Sequence, residues 1–101
     1  MTQTLRTALP APKATERKAP STGDLATAIR ELRTARRLSI EALALAADMH
    51  ITYLSRIERE IRNPSWEKLC SLADALDVPI AELARHAERV ARARRASPTS
   101  R

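Results

Sequence analysis

Apolar residues recur at three- and four-residue spacing through the middle of this chain, in five runs that short polar stretches separate. This spacing is typical of amphipathic helices that each turn one face towards a shared core. The pattern therefore predicts an all-α fold, a compact domain of five short helices that pack on one another. The predicted helices cover residues 24–37, 40–47, 51–60, 65–77 and 79–95.

Polar residues and prolines set the limits of these helices. Asp24, Ser39 and Ser65 each precede an apolar run, and each is a favourable N-cap. Pro64 ends the third helix, because the residue before a proline avoids the helical region. Pro79 is placed at or just before the first turn of the fifth helix, where proline is tolerated.

Two of the predicted core positions lie near helix ends. Ile61 continues the apolar stripe that Leu54 and Ile57 begin in the third helix, and Trp66 begins the stripe of the fourth helix. We therefore expect both Ile61 and Trp66 to face the core.

The face of the third helix opposite its core stripe has an unusual composition. An ordinary solvated face mixes acids and bases, whereas this one carries two arginines, two hydroxyls, an isoleucine and no acid. Its residues are Ile51, Thr52, Ser55, Arg56 and Arg59. This composition raises the question of what the face contacts.

The formal net charge of +6 lies mostly outside the helical middle. Residues 1–23 and 81–101 carry net charges of +3 and +4, whereas residues 24–80 carry −1. Residues 1–22 contain three prolines and no apolar period, so we predict a disordered basic arm there and a second disordered tail at 96–101. The arm is either an inert tail, which is the simpler interpretation, or a contact to a polyanion.

Few side chains suit catalysis or metal binding. We expect Cys70, the single cysteine, to fill core space and His86, which has arginine neighbours, to face water. We predict no enzyme, no metal site, no cofactor and no room for a small-molecule pocket of normal size. Because neither a membrane span nor a secretory signal is evident, we expect a cytoplasmic, nucleoid-associated protein.

A helix, a tight turn and a second helix with a basic outward face make the helix-turn-helix arrangement. The stretches IRELRTARRLSIEALALAA, YLSRIERE and NPSWEKLCSLADALDVPIAEL carry this pattern. Together they resemble the Cro/phage-repressor (XRE-type) helix-turn-helix family. The resemblance implies a DNA-binding, repressor-like domain over residues 23–83, with a helical extension of the last helix over 84–95.

The resemblance also implies which residues contact DNA. The family contacts bases from positions that here hold Ile51, Thr52 and Arg56, and Ser55 is next in line. Arg56 suits the two acceptors of guanine, Thr52 a base edge or phosphate, and Ile51 a thymine methyl. The expected contacts to the DNA backbone are Arg36, Arg37, Ser39, His50, Arg59, Arg62 and Asn63. For Arg36 and Arg37, solvated surface is an equal alternative.

Three positions depart from the family's pattern. Ile40 replaces a glutamine that bonds phosphate, and Asp48 and Glu60 replace glycines. We expect Asp48 to adopt the left-handed conformation, and Glu60 to weaken binding if it lies near phosphate. The resemblance further implies a partly buried ion pair of Arg33 and Glu58, which would join the first helix to the recognition helix.

The sequence thus predicts a sequence-specific DNA-binding transcriptional regulator, a repressor that binds a pseudo-palindromic operator as a homodimer. The alternative is an antitoxin-like protein that binds a partner protein and regulates its own operon. Residues 84–95 would then be the partner surface, although the same helix could form the homodimer or simply be solvated.

Overall fold

The computed structural model describes residues 19–96, and this part of the chain forms five α-helices and no strand. The all-α prediction is therefore confirmed. The helices are α1 (Thr22–Ala35), α2 (Ile40–Ala46), α3 (Ile51–Glu58), α4 (Trp66–Ala75) and α5 (Ile80–Ala96). Most of the predicted arm at 1–22 and tail at 96–101 lies outside the described residues, but Thr22 and Ala96 already belong to helices.

The core is built from the apolar stripes of all five helices. Each fully buried leucine or isoleucine contributes roughly 1.5–3 kcal/mol relative to an exposed one, so this set supplies most of the stability. The largest side chains with less than 2% exposure are Ile29, Leu43, Leu54, Ile57, Leu72, Leu76 and Leu83.

Serine hydroxyls begin three of the helices. Ser39 and Ser65 cap α2 and α4, as predicted. The prediction that Asp24 caps α1 is wrong, because Ser21 is the cap and Asp24 is the third residue of the helix. The two residues form a capping box, in which the Asp24 amide donates to Ser21 Oγ at 3.1 Å and the Ser21 amide donates to Asp24 Oδ2 at 2.8 Å.

The first four helices end in the same way, with a left-handed residue after the C-cap. These residues are Arg37 (φ 58°), Asp48 (φ 55°), Glu60 (φ 65°) and Asp77 (φ 62°). In each case the following amide donates to the carbonyl five residues earlier at 2.8–3.1 Å, which makes a Schellman motif. The left-handed conformation predicted for Asp48 is confirmed. Since none of the four is glycine, each carries a steric cost of about 1–2 kcal/mol.

The predictions that Ile61 and Trp66 face the core are wrong, because these side chains are 64% and 67% exposed. The left-handed turn at Glu60 ends α3 before Ile61, so the helical period on which that prediction rested no longer applies. Trp66 is the first residue of α4 and lies ahead of the turns that pack on the core.

The last helix packs along the first and is not a detached extension. Ala87 and Ala91 are buried in this contact. His86, expected to face water, instead places Nε2 2.9 Å from Glu31 Oε1 and is largely shielded. Part of the segment 84–95 is therefore buried by packing within the chain.

Candidate nucleic-acid interface

Helix α3 presents a polar face to solvent because its apolar residues anchor it to the core. Leu54 and Ile57 are fully buried on one side. Thr52, Arg56 and Arg59 are exposed on the other. Successive residues of an α-helix are turned by about 100°, so Thr52 and Arg56 lie one above the other on the outward face.

Two of the four predicted base-contact residues lie closer to the protein than expected. Ile51 is half-buried and packs against the core cluster, and Ser55 is also half-buried. The expected thymine contact required Ile51 to face outward, but only part of its side chain is exposed. Thr52 and Arg56 are the two members of the predicted set that stand fully on the exposed face.

The turn between α2 and α3 fixes the angle at which α3 leaves the core. It consists of Ala47, the left-handed Asp48, Met49 and His50. His50 caps α3, because its Nδ1 accepts the amide of Thr52 at 3.0 Å. An accepting Nδ1 leaves the ring proton on Nε2, so the exposed ring keeps a donor for an anion.

An ion pair joins the buried side of α3 to α1. Arg33 donates from Nε to Glu58 Oε2 at 2.7 Å and from Nη2 to Glu58 Oε1 at 3.0 Å. A third donor, Nη1, bonds the carbonyl of Leu38 at 2.9 Å. Glu58 is only 8% exposed, and its carboxylate raises the pKa of Arg33 through these hydrogen bonds. The pair that the resemblance implied is present, and it fixes the buried side of α3.

The chain that leaves α3 is held against the start of α1. The Thr22 hydroxyl donates to Asn63 Oδ1 at 3.1 Å, so the Asn63 amide group still has its two donors. Glu60 turns its carboxylate towards Gly23, where an added Cβ would lie 2.9 Å from Oε1. This position is near the positive end of α1 and offers the Glu60 carboxylate a favourable field. Glu60 was expected to weaken binding if it lay near phosphate. The contact of its carboxylate with the start of α1 competes with such a position.

Three arginines on the α3 side have no acidic partner in the described part of the chain. Within residues 19–96, no carboxylate lies within 4.0 Å of Arg56, Arg59 or Arg62. The ion pairs of this part of the chain involve other basic side chains. Arg36 is shared with Asp77, at 3.8 Å between Nη1 and Oδ2, whereas Arg37 is exposed. Ser39 is exposed, and its Oγ accepts the amide of Ala42.

A second feature, not expected from the sequence, adjoins the start of α1 and the segment that follows α3. An apolar groove of about 610 Å³ runs between α4 and α5, and this volume contradicts the expectation that the chain has no room for a pocket. We call it the apolar groove; its walls include Leu25, Trp66, Leu69, Ile80, Ala81 and Ala84. The exposed Trp66 is its clearest signal, and the helical period had assigned that residue to the core.

Within residues 19–96, no group of three or more histidine, cysteine, aspartate or glutamate side chains is arranged to hold a metal ion. Among the same residues, no helix has the length and apolar character needed to cross a membrane. Cys70 is half-buried with a free thiol.

Comparison with known proteins gives a consistent set of relatives. Residues 29–83 match the family model described as helix-turn-helix. The HTH-type transcriptional regulator DdrOP3 of Deinococcus deserti is 42% identical over 55 residues, which are 54% of this chain and 43% of that protein. The chain therefore matches less than half the length of this curated relative.

Two solved structures extend the likeness to the fold. The restriction-modification controller protein C.AhdI from Aeromonas hydrophila is 39% identical with a TM-score of 0.60, over 61% of this chain and 94% of that one. The clp gene regulator ClgR from Corynebacterium glutamicum is 26% identical with a TM-score of 0.72, over 88% of this chain and 87% of that one.

Proposed function

Because the chain belongs to the XRE-type helix-turn-helix family of DNA-binding transcriptional regulators, we propose that it represses transcription by placing α3 in the major groove of an operator. The observation that carries this proposal is the exposed face of Thr52 and Arg56, flanked by cations without acidic partners among residues 19–96. Repression is proposed because a compact DNA-binding domain acts most simply by occupying a promoter.

The base contacts in this proposal come from the exposed face first. Arg56 would donate two hydrogen bonds to guanine O6 and N7, which is the commonest specific contact in the major groove. Thr52 would bond a neighbouring base edge or touch a thymine methyl. Ile51 and Ser55 border this face and would contribute through their exposed parts only.

The contacts to phosphate would set the register of the domain on the duplex. His50 at the start of α3 offers Nε2–H, and Arg59, Arg62 and Asn63 follow the helix. At the start of α2, Ser39 and the backbone amides of the first turn form the other phosphate site. Arg37 is proposed beside it. Arg36 would have to give up its contact with Asp77, so it ranks last.

The apolar groove supports the proposal that two copies assemble. A single recognition helix contacts few base pairs, and a two-fold dimer doubles the contacted sequence. Trp66 at 67% exposure beside the small residues Ala81 and Ala84 offers a surface that a second copy could cover. The operator of such a dimer would be pseudo-palindromic, with half-sites about one helical turn apart.

The same groove supports a second candidate function. An antitoxin-like protein would use the groove to bind a different protein and would regulate its own operon through α3. Here the partner surface would include only the part of 84–95 that faces the groove, because Ala91 and Arg94 are occupied by contacts within the chain. In either case the protein would act in the cytoplasm, at the nucleoid.

Selection of bound DNA from a random pool tests the proposal. We expect the native chain to enrich one motif whose two halves are inverted copies. Enrichment of a single asymmetric half-site would support DNA binding and contradict the dimer. No enrichment from the pool or from genomic fragments would contradict sequence-specific binding.

A further inference from the structure

Tyr53 lies at the border of the outward face of α3 and has two cations over its ring. The guanidinium carbon of Arg62 is 5.1 Å from the ring centroid, and Nζ of Lys68 is 6.0 Å from it. Tyr53 is the neighbour of Arg56 at i, i+3 on the helix surface. We call Tyr53, Arg62 and Lys68 the Tyr53 cluster.

Lys68 occupies a position that local helix stability does not favour. It is the third residue of α4, and its amide donates to the cap Ser65 Oγ at 3.2 Å. A positive charge in the first turn of a helix opposes the helix dipole, and acids are preferred there. The lysine therefore has no stabilising role in α4 that would account for its charge.

Neither cation of the cluster is neutralised by the part of the chain that is described. No carboxylate of residues 19–96 is within 4.0 Å of Arg62 or Lys68. Attraction to the ring holds both cations beside Tyr53 and restricts their long side chains. Two such charges fit an anion with several acceptor oxygens, and a DNA phosphate has this chemistry.

We propose that the Tyr53 cluster is a phosphate-binding site for the DNA backbone, in which Lys68 contacts phosphate beside Arg62 and Tyr53 positions both cations. This inference rests on the proposed function, because it requires DNA at the outward face of α3. It adds Lys68 to the contacts and gives Tyr53 a positioning role.

The test is the salt dependence of binding, measured on the selected operator and on scrambled DNA of equal length. Lys68→Gln should weaken binding to both DNAs alike. It should also lower the slope of log affinity against log salt by about one, because one phosphate contact is lost. The matched control is Arg92→Gln, an exposed arginine on α5, which should leave the slope unchanged. An unchanged slope for Lys68→Gln would overturn the proposal.

Tyr53 is tested by a pair of variants that separates its ring from its hydroxyl. Tyr53→Phe keeps the ring and should bind with the native slope, whereas Tyr53→Leu should lower the slope towards that of the Lys68→Gln, Arg62→Gln double variant. If Tyr53→Phe is as defective as Tyr53→Leu, the hydroxyl itself contacts DNA and the positioning role is wrong. Thermal unfolding of each variant shows whether it folds. If a Tyr53 variant does not fold, the result for Lys68→Gln, a change at a partly exposed side chain, decides whether the cluster binds phosphate. Failure of the proposed function would be distinguishable from failure of this inference, because the native chain itself would then show no preference for the operator.

Discussion

Arg94 near the end of α5 donates two hydrogen bonds of 2.8 Å to the carboxylate of Asp24 near the start of α1. Asp24 is 2% exposed, and it also accepts the amide of Ser21 in the capping box. These contacts tie the last helix to the first across 70 positions of the sequence. The hydrogen bonds from Arg94 are the main reason that the pKa of Asp24 falls to about 2.

We expect Asp24→Asn to lower the free energy of unfolding by about 1–2 kcal/mol at pH 7, after allowing for the screening of the half-exposed Arg94 by solvent. The carboxylate has a lower pKa in the folded chain than its usual 3.8. Its contribution is therefore complete above that pH and is lost as the pH falls from about 4 towards 2. Urea unfolding of both proteins between pH 7 and 2 measures this. A difference in stability that stays constant over the whole range would contradict the assignment.

The helix positions followed from the sequence because serine caps and apolar periods are local signals. The start of α1 was misplaced because both Ser21 and Asp24 are good caps, and only the capping box shows that they act together. Ile61 was misplaced because the helical period does not reveal that Glu60 turns left-handed. Trp66 was misplaced because the first residue of α4 lies ahead of the turns that pack on the core. The role of Arg94 was missed since its partner is 70 residues away.

For the candidate site, the family resemblance supplied the recognition helix, and the geometry altered the weight of its residues. Ile51 was expected to face outward, but it precedes Leu54 by three residues and so lies only about 60° from it on the helical wheel. The wheel omits α2 and the turn, and packing around them half-buries the side chain. The pair of Arg33 and Glu58 was correct because the resemblance carries information about contacts between helices.

The ion pair of Arg33 and Glu58 should be required for stability more than for DNA contact. Glu58→Gln leaves Arg33 largely buried without its counter-charge, so we expect a loss of about 3 kcal/mol in the free energy of unfolding. Arg33→Lys should also lower the free energy of unfolding although it keeps the positive charge, because a lysine cannot make the two parallel hydrogen bonds. Chemical denaturation measures both variants. A loss below about 0.5 kcal/mol for Glu58→Gln would place the pair among weak surface contacts.

Asp48→Gly should stabilise the fold, because glycine adopts the left-handed conformation of this C′ residue without a clash. The expected gain is about 0.5–1 kcal/mol after the greater flexibility of glycine in the unfolded chain is included. Asp48→Ala is the matched control, as it removes the carboxylate but keeps the Cβ. A gain in thermal stability for the alanine variant equal to that for glycine would show that the charge is responsible.

The apolar groove can be tested through its tryptophan, which is the only one in the chain. Dimerisation through the groove should shift Trp66 emission to shorter wavelength as concentration rises, because the indole leaves water. Ala84→Glu places a charge on the groove wall and should abolish the shift and the dimer in sedimentation experiments. Ala96→Glu, at the exposed end of the same helix, should do neither. If the native chain dimerises while Trp66 emission stays unchanged, the interface lies elsewhere.

The most direct test of the account is the affinity of Arg56→Ala for the selected operator and for scrambled DNA. We expect a loss of about 1–3 kcal/mol on the operator, from the bidentate contact with guanine, and a much smaller loss on scrambled DNA. Arg92→Ala, which removes an exposed arginine from α5, controls for net charge. If folded Arg56→Ala binds the operator as tightly as the native chain does, α3 does not contact its bases through Arg56 and the central assignment is wrong.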